Sequence, residues 1–144
     1  MARMLSVFFA LFVALSAVAV PVERRQTGNL ECNINRAQIV VALAQTGSAV
    51  KAINGTDAAT EAQKTAAQTG LTSSGEGIAQ IAVALVAGQA APAAARLQTQ
   101  QGLLDAQAAL GNITDPTVAD AVSAAQSKLA TAITAGNNVV ANCK

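Results

Sequence analysis

The sequence predicts an all-α fold: a compact up-and-down bundle of four to five alanine-rich amphipathic helices, with its termini tied by one disulfide. Three observations carry this. Apolar residues recur at helical spacing throughout, and no stretch alternates apolar and polar over more than four or five positions as a half-buried strand would. Alanine supplies 30 of the 119 residues from Gln26 to Lys144, mixed with Gln, Leu, Val and Thr, which is helical bias and not a mucin-like stalk. The only two cysteines, Cys32 and Cys143, stand near the two ends of that stretch.

The elements follow in order. A first helix is expected over 33–53, with Ile39, Leu43, Val50 and Ile53 on one face, stopped by Asn54-Gly55. A second is expected over 57–68, capped by Thr56; its buried stripe, Ala59, Ala62 and Ala66, offers little area, so it is the weakest. A third opens on a capping box from Ser73 to Glu76, sets Ile78, Ile81, Ala82 and Leu85 at the i, i+3, i+4, i+7 spacing, and ends at Gly88. A fourth starts at Pro92 and carries two seven-residue pairs, Leu97 with Leu104 and Leu103 with Leu110, before Gly111. A fifth is announced by Asp115-Pro116 and keeps one stripe through Val118, Val122, Ala125, Leu129, Ile133 and Val140, with Gly136 near its end. Short connections favour antiparallel neighbours.

The start of the chain bears on compartment. Arg3 precedes an apolar stretch from Leu5 to Leu15 that closes on Ala17-Val18-Ala19, the pattern of a secretory signal over 1–19. That stretch is too short to anchor across a hydrocarbon core of about 30 Å, and no later stretch supplies a membrane span, so the mature protein is expected to be soluble and not an integral membrane protein. The dibasic pair Arg24-Arg25 marks 20–25 as a short pro-segment and 26–144 as one mature helical domain. In an oxidising compartment Cys32 and Cys143 are expected to pair, within one chain or between two; within one chain, a loop of about 100 residues contributes roughly 4.7 kcal/mol in the chain-entropy model. An odd number of helices would work against joining the ends. The expectation is a secreted monomer, extracellular or in the cell wall.

The mature stretch has no histidine, methionine or aromatic residue, and carries six basic and seven acidic side chains. Without a basic stripe or stacking platforms, nucleic acid is not expected as a partner. Without histidine, Ser or Cys nucleophiles lack their usual base, and Ser123, Ser127 and Lys128 lie in one helical region with no glycine elbow. Acids scattered one per helix form no metal set, so no metal or cofactor is expected. Carboxylate pairs such as Asp115 with Asp120, or Glu61 with Glu76, read better as caps, first-turn charges and surface. No sugar-stacking ring remains. The chain is read as a non-enzyme. Asn54-Gly55-Thr56 and Asn112-Ile113-Thr114 are acceptor sequons in expected loops, and both asparagines are equally ordinary helix-stop residues.

This combination, a leader with a dibasic site followed by an Ala, Val, Thr and Gln-rich helical domain lacking histidine and aromatics, resembles small secreted fungal proteins, in particular the hydrophobic surface-binding proteins and related cell-wall galactomannoproteins. The resemblance spans most of residues 32–143 as a pattern without a diagnostic motif. It implies a helical secreted protein that adsorbs to apolar solids or binds lipid, the apolar face being drawn from Ile39, Leu43, Ile78, Ile81, Leu85, Leu97, Leu104, Val122, Leu129 and Ile133. The Cys32 and Cys143 pair departs from that family's pattern and points to neighbouring small secreted proteins without an assigned role. The alternative is a structural cell-wall or effector-type protein without a small-molecule ligand.

Overall fold

A computed structural model describes residues 30–143. The signal stretch, the pro-segment with Arg24 and Arg25, and Lys144 lie outside the described residues. Among the described residues there are four α-helices: α1 (Leu30–Lys51), α2 (Ala58–Val86), α3 (Ala93–Gly111) and α4 (Ala119–Asn142). A 3-10 turn, Pro116–Val118, leads into α4, and there is no strand among the described residues.

The helices are organised as two antiparallel pairs. α2 lies close along α3 and α1 close along α4, whereas α1 meets α2, and α3 meets α4, over much less of their lengths. The α2/α3 pair is built from small residues. A Cβ placed on Gly70 would stand 2.6 Å from the Gly102 carbonyl oxygen and 2.8 Å from the Ala106 nitrogen. One placed on Gly77 would stand 2.7 Å from the Ala95 oxygen. The backbones therefore approach as only glycine permits. Buried Ser74 completes the seam by donating its hydroxyl to the Thr99 carbonyl at 2.9 Å, while Thr99 satisfies its own hydroxyl on Ala95 O.

The α1/α4 pair uses a seven-residue register instead. The Cys32–Cys143 disulfide joins the ends at a Cα–Cα distance of 5.0 Å, and one seven-residue step inward on each helix brings Ile39 against Gly136, whose added Cβ would lie 3.3 Å from Ile39 Cδ1. Further sevens reach Thr46 on α1 and Ile53 just past its end, and Leu129 and Val122 on α4, all buried. This is coiled-coil periodicity. Buried Thr46 meets its need for a partner locally, donating to Ala42 O at 2.8 Å. Between the pairs runs one apolar core, from Ile39 and Val50 on α1 through Leu71, Leu103 and Leu110 to Val122 and Leu129. Leu43, Ile78 and Ile133 are only partly buried against it.

Several sequence expectations need correction. The second and third helices are one: α2 runs unbroken through Gly70, Gly75 and Gly77, so Ser73 starts no helix and Glu76 closes no capping box. Gly70 and Gly77, which look like breaks, are the seam against α3, while Gly75 faces Leu43 of α1, and packing overrides their poor propensity, about 1 kcal/mol each. The resulting even count returns the chain to its start and lets the ends join. The cap of α2 is Asp57, not Thr56, with Thr60 N–H donating to Asp57 Oδ1 at 2.8 Å. α1 already includes Leu30, and Pro92 caps α3 rather than opening it, while α4 runs on through Gly136 as a stripe reaching Val140 requires. α2 stops at Val86 with Ala87 as its cap, and Gly88 just beyond takes the left-handed conformation with φ 73° that the stop requires.

This arrangement predicts opposite signs for two chemically identical substitutions. A Cβ on Gly47 would meet nothing within 4 Å, so Gly47→Ala is expected to stabilise α1 by about 0.5–1 kcal/mol through backbone entropy. At Gly70 the same gain is outweighed by an overpacking cost of about 1–3 kcal/mol, and Gly70→Ala is expected to destabilise. Urea unfolding of the two variants checks the pair.

Candidate functional site

Two regions stand out on the surface, and they lie at opposite ends of the bundle. The loop end holds the turns 52–57 and 112–115. They border an open cleft of about 360 Å³ lined by Asp57, Ala59, Thr60, Asn112, Thr114, Asp115 and Pro116. The other end gathers the start of α1, the end of α4, the end of α2 and the start of α3.

The cleft's two carboxylates are engaged in holding helices. Asp57 caps α2, and Asp115 accepts from Thr117 N at 2.8 Å and from Thr117 Oγ1 at 2.7 Å at the entry to α4. The Thr60 hydroxyl, then the Thr60 amide, hold the Asp57 carboxyl below the ordinary carboxylate range, with a smaller contribution from Asp115. Negative charge at the starts of α2 and α4 complements their dipoles. Gly55 is required beside this cap, because a Cβ there would come within 2.7 Å of Thr60 Cβ. Among the described residues no three His, Cys, Asp or Glu side chains gather as a metal set would.

The apolar face expected from the sequence is distributed over three environments. Ile39, Val122 and Leu129 are core. Leu43, Ile78 and Ile133 lie half-covered against that core, and Ile81 and Leu85 are half-buried further along α2. Leu97 and Leu104 are exposed, so of the two leucine pairs on α3 only Leu103 and Leu110 face inward. Val140, expected on the buried stripe of α4, is 69% exposed. Sequence reasoning missed Leu30, Ile34, Val41, Val83 and Val86, which are also exposed. The signal was available for α1: counting sevens from Cys32 puts Ile39 and Thr46 on the seam and leaves Leu30, Ile34 and Val41 off it.

Of the eight exposed large apolar side chains among the described residues, six sit at the disulfide end: Leu30, Ile34, Val83, Val86, Leu97 and Val140. Polar side chains are interspersed with them, with Glu31, Asn33, Arg96, Asn137 and Asn138 also exposed at that end. Arg36 is half-buried, and burial pushes its guanidinium pKa down. Its Nη1 donates to Asn33 Oδ1 at 3.2 Å. On the flank of the α2/α3 pair, Gln80 donates to Gln98, which donates to Glu76, so polar side chains cover that side. No described helix is long and apolar enough to cross a membrane.

Fold and surface together define a class, the small four-helix bundle in which a disulfide joins the start of α1 to the end of α4, with most of its exposed large apolar side chains at that end. No family model matches the chain, and neither a curated protein nor a solved structure matches it.

The cap geometry predicts an acid response. Because the folded state lowers the Asp57 pKa, its contribution is fully present above the ordinary value of 3.8 and is lost as pH falls through the lower folded value. Asp57→Ala is therefore expected to lower the thermal midpoint near neutrality and to differ less from the parent chain at about pH 2. Thermal unfolding followed by circular dichroism across that range checks both halves.

Proposed function

We propose that the protein is a non-catalytic, secreted, surface-active protein of the cell exterior or wall, akin to the hydrophobic surface-binding proteins it resembles, and that its disulfide end meets the apolar surface. The observation that carries this is the gathering of six exposed large apolar side chains at that end, away from the polar loops. With no aromatic ring in the mature stretch and few charges, apolar burial is the main source of affinity, about 25 cal/mol per Å² removed from water.

The magnitude shapes the mechanism. Covering six partly exposed Leu, Ile and Val side chains contributes on the order of 5–10 kcal/mol. Association costs are of similar size, so the closed bundle holds a surface only weakly. Firm adsorption needs more area, and its source is the interface between the helix pairs. Parting the pairs about the loops 52–57 and 112–115 uncovers Leu43, Leu71, Ile78 and Leu103 while each pair stays intact. The disulfide holds α1 to α4, and the glycine seam holds α2 to α3. A tightly packed core of small side chains favours adsorption over carriage of a lipid inside a preformed cavity.

Depletion onto polystyrene beads tests the reading. The combined variant Leu30→Gln, Ile34→Gln, Val140→Gln alters exposed positions only and is expected to retain the parent's thermal midpoint while losing about tenfold or more in bead affinity, equivalent to 1.4 kcal/mol. Equal adsorption by the folded variant contradicts the proposal. Stoichiometric lipid in the purified protein would favour carriage instead.

A further inference from the structure

The two sequons are the feature of the sequence that the apolar-surface reading leaves unused, and the fold brings them together. Of the chain's eight asparagines, only Asn54 and Asn112 begin an Asn-X-Thr triplet, and both lie in the two turns at the loop end. The turns share a pattern: each helix is followed by Asn-X-Thr-Asp, as Asn54 to Asp57 and as Asn112 to Asp115. In both, the aspartate caps the element that follows. Capping is thus carried by a residue outside the sequon.

We propose that Asn54 and Asn112 are both N-glycosylated, so that the loop end carries a pair of glycans. Asn54, Thr56, Asn112 and Thr114 are all exposed. At the C-terminus of α3 it is the Asn112 backbone N–H that bonds back, to Ala108 O at 3.1 Å. Asn112 and Thr114 both line the open cleft. Because both asparagines are exposed in turns, a glycan added to the nascent chain is accommodated at each site without displacing a core side chain. The transferase acts in the secretory route, so the proposal rests on entry into that route; it is independent of the apolar-surface reading.

The chemistry is a condensation in which the asparagine amide nitrogen displaces a lipid diphosphate from the anomeric carbon of the donor oligosaccharide. An N–H proton is lost and the C–N glycosidic bond forms. The consequence for the molecule is directional. Two hydrated glycans would cover the cleft of Asp57 and Asp115 and leave the end with Leu30, Ile34 and Val140 open.

The test is the intact mass of the full-length chain expressed in a yeast secretion host, measured before and after peptide-N-glycosidase treatment. Thr56→Ala, Thr114→Ala and their combination accompany it; both threonines are exposed, and the changes break each sequon without touching its asparagine. The parent chain is expected to carry two enzyme-labile glycans, each single variant one, and the double variant none. After release, Asn54 and Asn112 should both read as aspartate in peptide maps. One glycan or none on the parent chain overturns the proposal, as does an unmodified chain retained in the cells.

Discussion

The close approach of α2 to α3 is the constraint on which the rest of the structure depends. Gly70, Gly77 and Gly102 remove the side chains that would hold the two backbones apart, and Ser74 ties across the gap to Thr99. Because the seam needs a continuous α2, residues that would separately favour two short helices are drawn into one of 29 residues. That continuity makes the helix number even. An even number brings the end of α4 back beside the start of α1, where Cys32 and Cys143 can reach each other.

Small side chains also set how the bundle divides. Within the α2/α3 pair they permit intimate backbone packing, and within the α1/α4 pair the sevenfold register and the disulfide do the same work. Between the pairs the core rests on a limited set of larger residues, with Leu43, Ile78 and Ile133 incompletely covered. Dispersion energy accumulates atom by atom, so the weaker plane is the one between the pairs. In the proposed function the molecule parts there first, turning about the loops around Asn54 and Asn112. The proposed surface activity would draw on a core that is dense in one direction and shallow in the other.

How much of this was legible in the sequence depends on what each residue signals alone. The helical class, the terminal disulfide and the helix starts near Asp57, Pro92 and Asp115 follow from periodicity, cysteine placement and capping chemistry, all local or nearly so. The merging of two expected helices did not follow, because a glycine reads as a break unless its partner across the seam is known; Gly70 makes sense only beside Gly102. The apolar surface was half legible. Ile39, Val122 and Leu129 were placed on inward faces and are core, whereas Leu97, Leu104 and Val140 share the helical spacing of core residues and yet face water. Periodicity says that residues share a face, and only the position of the neighbouring helix says which face is buried.

The central claim, that the two pairs move as units and part from each other on an apolar surface, is tested most directly by pulsed electron-electron resonance on non-cysteine spin labels, before and after adsorption to polystyrene nanoparticles. Exposed positions serve for the labels: Gln45 on α1, Thr69 on α2, Gln107 on α3 and Ala130 on α4. The account predicts that the Gln45–Ala130 and Thr69–Gln107 distances keep their solution values, while Gln45–Thr69 and Gln107–Ala130 lengthen. Unchanged distances throughout, or lengthening within the pairs as well as between them, would contradict it.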